Sequence, residues 1–95
     1  MKISYSEEAI KDLIKLRAFI DVNNPHAARR AFASIKKGIS QLKAFPRLGV
    51  KVAFAPEPDV VRDLIMGNYL ARYLITEKVI YILRIWHHKE ETIIK

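Results

Sequence analysis

The residues best suited to chemistry stand late in the chain, in the stretch LRIWHHKEE from Leu83 to Glu91. Two adjacent histidines beside a lysine could ligate a metal or pass a proton, provided that both imidazoles converge on one point. Successive side chains of a strand point to opposite faces, so on a continuing last strand His87 and His88 cannot meet. A metal site is therefore not expected. His87 remains the candidate, on the same face as Arg72; His88 falls at a frayed strand end, and Arg84 and Trp86 are assigned to the other face.

Whether this stretch is a strand depends on the elements before it. Lys2-Ile3-Ser4-Tyr5 reads as a short first strand. Ser6 before Glu7 and Glu8 starts a helix: the hydroxyl accepts from a free backbone N–H, and the glutamates meet the positive end of the helix dipole. Ala9, Ile10, Leu13, Leu16 and Ile20 form one apolar face as far as about Val22, with Lys11, Asp12 and Lys15 expected in water. Asn23-Asn24-Pro25 stops this helix and opens the next.

From Ala28 onward Ala31, Phe32, Ile35, Ile39 and Leu42 hold a near-heptad spacing, while Arg29, Arg30, Lys36, Lys37 and Lys43 lie off that stripe. Two such helices with a short connection make an antiparallel hairpin. Gly38 weakens the second by up to ~1 kcal/mol relative to alanine and suits close helix packing. Phe45-Pro46-Arg47-Leu48-Gly49 ends the hairpin. The connection up to Pro56-Glu57-Pro58-Asp59 shows no clear period, with a short irregular strand at Val50 to Phe54 as one reading.

Val60 to Met66, Tyr69 to Thr76 and Val79 to Trp86 are rich in valine, isoleucine, leucine and tyrosine. Gly67-Asn68 and Glu77-Lys78 separate them, so they read as a three-stranded antiparallel meander with tight turns. The expected fold is α+β: a short N-terminal strand, a helical hairpin, then the meander, with the helices on one sheet face. Two-residue turns give one face with Arg62, Leu64, Met66, Tyr69, Ala71, Tyr73, Ile75, Ile80, Ile82, Arg84 and Trp86. The other carries Val61, Asp63, Ile65, Leu70, Arg72, Leu74, Tyr81, Leu83, Ile85 and His87, with Asp63 opposite Arg72.

One hairpin covers one face, so the second apolar face calls for a partner protein, or for cover from the C-terminal Thr92 to Lys95 or the chain before Val60. At 95 residues, 51% hydrophobic, the chain is expected to be a single domain spanning 1–95 with one modest core. It has no cysteine, which excludes disulfides, a thiol nucleophile and cysteine-ligated metal centres. The N-terminal MKISYSEEAIKDL has no signal-peptide run and no later stretch is long enough to span a membrane, so a soluble cytoplasmic protein is expected. Lys and Arg outnumber Asp and Glu by 17 to 10, a net charge of +7 that suits an anionic partner.

Several segments together resemble the RelE/ParE superfamily of toxins from type II toxin–antitoxin systems. They are AIKDLIKLRAFI, NPHAARRAFASI, LKAFPRLG, VRDL, GNYLARYLI and VIYILRIWHH, and they cover nearly the whole chain. The resemblance implies a growth inhibitor of the plasmid-stabilisation type, with no cofactor. Its partner would be a cognate antitoxin whose disordered tail folds as it wraps the toxin, encoded beside it. Leu70, Leu74, Tyr81 and Leu83 would lie under that antitoxin.

The superfamily holds two activities. RelE-like members cut messenger RNA in the ribosome; for that, Lys51, Arg72 and His87, with His88 and Lys89, would hold phosphate and move the proton. Leu70 where RNA-cutting relatives often carry arginine, the lack of a tyrosine after Tyr81, and Asp63 on the phosphate face count against it. ParE-like members are thought to poison DNA gyrase without catalysis. VRDL and ILRIWH, with Arg62, Arg84 and His87, match their pattern, although His88-Lys89-Glu90-Glu91 replaces an arginine-rich end. The resemblance therefore favours ParE-like over RelE-like; a member that only binds its antitoxin is the third possibility.

Overall fold

The computed structural model describes residues 1–87. His88 to Lys95, including the candidates His88 and Lys89 and the covering segment Thr92 to Lys95, lie outside the described residues. The elements are β1 (Lys2–Tyr5), α1 (Glu7–Asn23), α2 (Pro25–Ser40), a 3₁₀ turn at Gln41–Lys43, β2 (Val50–Lys51), β3 (Val61–Met66), β4 (Tyr69–Ile75) and β5 (Val79–His87). They form one five-stranded sheet in the order β1-β5-β4-β3-β2. Only β1 runs parallel to its neighbour; the other pairings are antiparallel, so the expected meander sits between two short outer strands.

Local chemistry sets the element ends. Ser6 Oγ accepts from the Ala9 N–H at 3.0 Å and donates to the Leu83 carbonyl at 2.9 Å, so the cap of α1 also ties it to β5. Asn24 serves both helices: its N–H closes α1 on the Ile20 carbonyl, and its side chain accepts from His26 and Ala27 N–H at the start of α2. Gly67, at φ 63°, is the first central residue of the β3–β4 turn, where a tight hairpin needs a positive φ.

The helices cover one face of the sheet, and Ile35, Ile39, Leu42, Tyr73, Ile80, Ile82 and Ile85 are fully buried between them and the strands. Two expectations for α1 fail. Ile10 is 47% exposed, whereas Asp12 is buried at 9%. With 3.6 residues per turn, seating Ala9 at the contact swings Ile10 about 100° away and brings Asp12 to the sheet. Gly38 gives close approach to the sheet rather than to α1: a Cβ there would lie 2.6 Å from Met66 Sδ.

Asp12 is held there by the strand it faces. Its carboxylate accepts from the Ile85 N–H at 2.9 Å and from Arg84 Nε and Nη2 at 2.8 and 3.2 Å. β1 pairs with β5 only as far as Ile82, and Asp12 takes the backbone donor that a longer strand would have taken.

The strand alternation also changes along β5. Tyr73 pairs with Ile82, but Arg72 pairs with Arg84, so Leu83 has no partner opposite it. The extra residue reverses the alternation beyond it. Ile85 consequently pairs with Ala71 in the core, and Trp86 pairs with Leu70 on the far face. The assignments of Trp86 to the helix side, and of Ile85 and His87 to the open side, are thus corrected, whereas Arg84, although it pairs with Arg72, carries its guanidinium to Asp12 on α1.

Replacing Asp12 by alanine leaves the Ile85 N–H and the Arg84 guanidinium without their acceptor. Asp12→Ala is expected to lower the unfolding free energy by about 3 kcal/mol. Asp12→Asn, which keeps one acceptor oxygen, should cost less; urea titrations of the two variants check the order.

Candidate functional site

Three clusters contain the candidate residues, and the first fixes the loop after the hairpin. Tyr73 is buried; its hydroxyl donates to the Pro46 carbonyl at 2.7 Å and accepts from the Gly49 N–H at 2.8 Å. Burial raises the Tyr73 pKa, so the phenol stays a donor. Its register partner Arg62 donates to the carbonyls of Arg47, Gly49 and Asp59 at 3.2, 3.0 and 2.9 Å. A Cβ at Gly49 would stand 2.8 Å from the Asp63 carbonyl and the Tyr73 hydroxyl, so only glycine fits. Arg62 of the VRDL motif is thus a buried loop anchor.

Asp59 completes that cluster from the surface. It faces Arg47 at 3.2 Å, Arg62 at 3.1 Å and Lys51 at 3.7 Å. Arg47 above all, with Lys51 and Arg62 adding, holds its carboxyl below the usual value against a weaker opposing effect of desolvation.

The second cluster occupies the open face. Arg72 Nε and Nη2 donate to the two Asp63 oxygens at 2.8 and 3.0 Å, as the cross-strand register predicted. Their side chains are only 17% and 13% exposed. The guanidinium lies against Phe54 at 5.1 Å and Trp86 at 4.9 Å, measured to the ring centroids. Phe54 belongs to the connection before β3, so this segment supplies part of the cover for the second face. Of the residues expected under an antitoxin, Tyr81 is 40% exposed, Leu74 and Leu83 are half-buried, and Leu70 is buried at 5%.

The third cluster is a groove of about 590 Å³ between α1 and the end of β5. Lys15, Phe19, Tyr69, Trp86 and His87 line it. The His87 ring stands edge-on to Tyr69, centroids 5.5 Å apart, on the helix side of the sheet. Arg84 reaches Asp12 there, and that hydrogen bond raises its pKa further.

The candidates for cleavage do not converge. Arg72 is paired on the open face, His87 lies on the helix side, and Lys51 stands on outer strand β2 beside Asp59. The ParE-pattern residues are also dispersed: Arg62 in the loop clamp, Arg84 on α1, His87 against Tyr69. Asp12, Tyr73 and Phe54 were missed as contributors. A broken spacing, Ile80, Ile82 then Ile85, was the available signal for the bulge. Among the described residues no group of three histidines or acids could hold a metal, and no helix is long and apolar enough to cross a membrane.

A helical hairpin on a sheet of this order is an α+β fold shared with a solved structure titled "Chromosomal ParDE TA system from P. aeruginosa". That match has a TM-score of 0.76 at 24% identity, over 92% of this chain and 95% of that one. Residues 3–92 match the family model described as ParE toxin of type II toxin-antitoxin system, parDE, and the chain belongs to that family. No curated protein matches it.

Because Arg72 and Asp63 are mostly withdrawn from water, either single alanine substitution strands a charge. Arg72→Ala and Asp63→Ala are each expected to cost about 2 kcal/mol, between the values for exposed and buried pairs. The double variant should lose less than the two singles combined, which a double-mutant cycle in urea measures.

A depressed carboxyl pKa adds stability above the usual aspartate range and loses it as pH falls through that range to the folded value. Wild type and Asp59→Asn should accordingly differ in unfolding free energy at pH 7 and converge towards pH 3. Paired urea curves at the two pH values test this.

Proposed function

We propose that this ParE-family chain is a growth-inhibiting toxin of the cytoplasm, neutralised by a cognate antitoxin that covers its open sheet face, with DNA gyrase as its target. The observation that carries the gyrase reading over RNA cleavage is the dispersal of the basic candidates. Arg72, needed to hold phosphate, is already neutralised by Asp63 and flanked by Phe54 and Trp86. His87 lies on the opposite side of the sheet, against Tyr69. A binding inhibitor needs no such convergence; general acid–base cleavage does. For the antitoxin, support comes from an open face that keeps Tyr81 exposed, with Leu74 and Leu83 half-buried beside an aromatic and arginine cluster.

Inducing the gene alone is expected to arrest growth with a DNA-damage response, and the purified protein to inhibit supercoiling by gyrase. Cut messages with ends mapping to the ribosomal A site would replace this reading by the ribonuclease one. Unaffected growth would assign the chain to members that only bind antitoxin. Tyr81→Asp should weaken antitoxin binding at least tenfold with little loss of stability; a collapse of stability would make Tyr81 part of the core.

A further inference from the structure

The two outer edges of the sheet end differently. On β5, Asp12 occupies the backbone N–H of Ile85. On β3, the partner strand stops early: β2 pairs Val50 with Asp63 and Lys51 with Arg62, and Val52 N–H bonds the Val61 carbonyl. Residues 61, 63 and 65 thus present their backbone groups outwards, while 62, 64 and 66 bond β4. Ile65 has no strand beside it, and its N–H and C=O have no partner among the described residues.

The segment before β2 cannot close this gap. A longer β2 would set Leu48 opposite Ile65, but the Leu48 N–H is used on the Phe45 carbonyl. Gly49 is held by both its N–H and its carbonyl, on Tyr73 and Arg62. The clamp that fixes the loop therefore keeps the edge open.

A groove of about 510 Å³ runs along this edge, between α2 and β3, lined by Lys37, Gln41, Leu48, Val50 and Ile65 among others. Leu48, Val50 and Ile65 are 49%, 57% and 52% exposed, an apolar border beside two unused hydrogen-bonding groups. Its charged lining residues are Lys37 and Asp63, the latter already paired with Arg72, and the chain around it is basic. Between residues 22 and 56 the chain carries Arg29, Arg30, Lys36, Lys37, Lys43, Arg47 and Lys51 and no acid, while the remainder holds ten basic and ten acidic residues. The whole net charge of +7 thus comes from α2 and the segment leading into β2.

We infer that the β3 edge at Ile65 is a strand-addition site for an extended acidic segment of the antitoxin. The inference rests on the antitoxin reading above and deepens it. The segment bonds the Ile65 N–H and C=O, sets apolar residues against Leu48, Val50 and Ile65, and turns carboxylates towards Lys37. The basic α2 and loop around it speed encounter with an acidic chain and make the contact salt-dependent.

The test uses the full chain co-expressed with the product of the adjoining reading frame, with amide exchange followed by NMR. The Ile65 amide should exchange at least tenfold more slowly in the complex than in the free protein. Lys37→Glu, an exposed substitution on α2, should weaken the complex about fivefold at low salt, with the difference shrinking as salt rises. Ile65→Pro removes the outward N–H without touching the β4 pairing and should weaken it about tenfold. A complex whose Ile65 amide stays unprotected overturns strand addition and leaves the toxin reading standing. Failure to form any complex removes both. Ile65 protection that instead grows with concentration of the free protein assigns the edge to a second copy and overturns the proposal.

Discussion

A strand edge that ends against a helix must find acceptors for its backbone donors, and in this fold that requirement ties α1 to β5. β1 reaches only Ile82. Beyond it, Ser6 bonds the Leu83 carbonyl and Asp12 bonds the Ile85 N–H. These contacts set the rotation of α1 about its own axis, which buries Ala9 and leaves Ile10 in water. They also bracket Leu83, the extra residue that reverses the faces of the strand's end. Where Trp86 and His87 point, and hence which chemistry is available, follows from that bulge.

The β2–β3 end of the sheet is organised by a second set of buried polar contacts. Tyr73 and Arg62 are register partners, and both spend their hydrogen bonds on loop carbonyls or on the Gly49 N–H. No buried side-chain polar atom lacks a partner among the described residues. An arginine in this position cannot leave for a ligand without stranding several carbonyls. Arg62 and Arg84, which the family pattern marks, thus act on the architecture of this chain, while the excess of cations over acids falls on α2 and the loop.

Much of this was legible before any coordinates. The caps at Ser6 and Asn24, the Gly67-Asn68 turn, the helical hairpin and the Asp63–Arg72 pair all follow from neighbours in sequence or from strand register, and each stands where local chemistry put it. The parallel docking of β1 on β5 and the short β2 pair joined residues too far apart for any local pattern to show.

The site divides along the same line. Sequence alone determined the α+β order, the family resemblance and the presence of basic candidates, because composition, spacing and turn residues are local properties. Only the tertiary structure decided that Asp12 is buried, that His87 faces Tyr69 instead of Arg72, and that Arg72 is already neutralised. One unopposed residue shifts every side chain after it to the other face, and a charge is free or spent according to what folds against it.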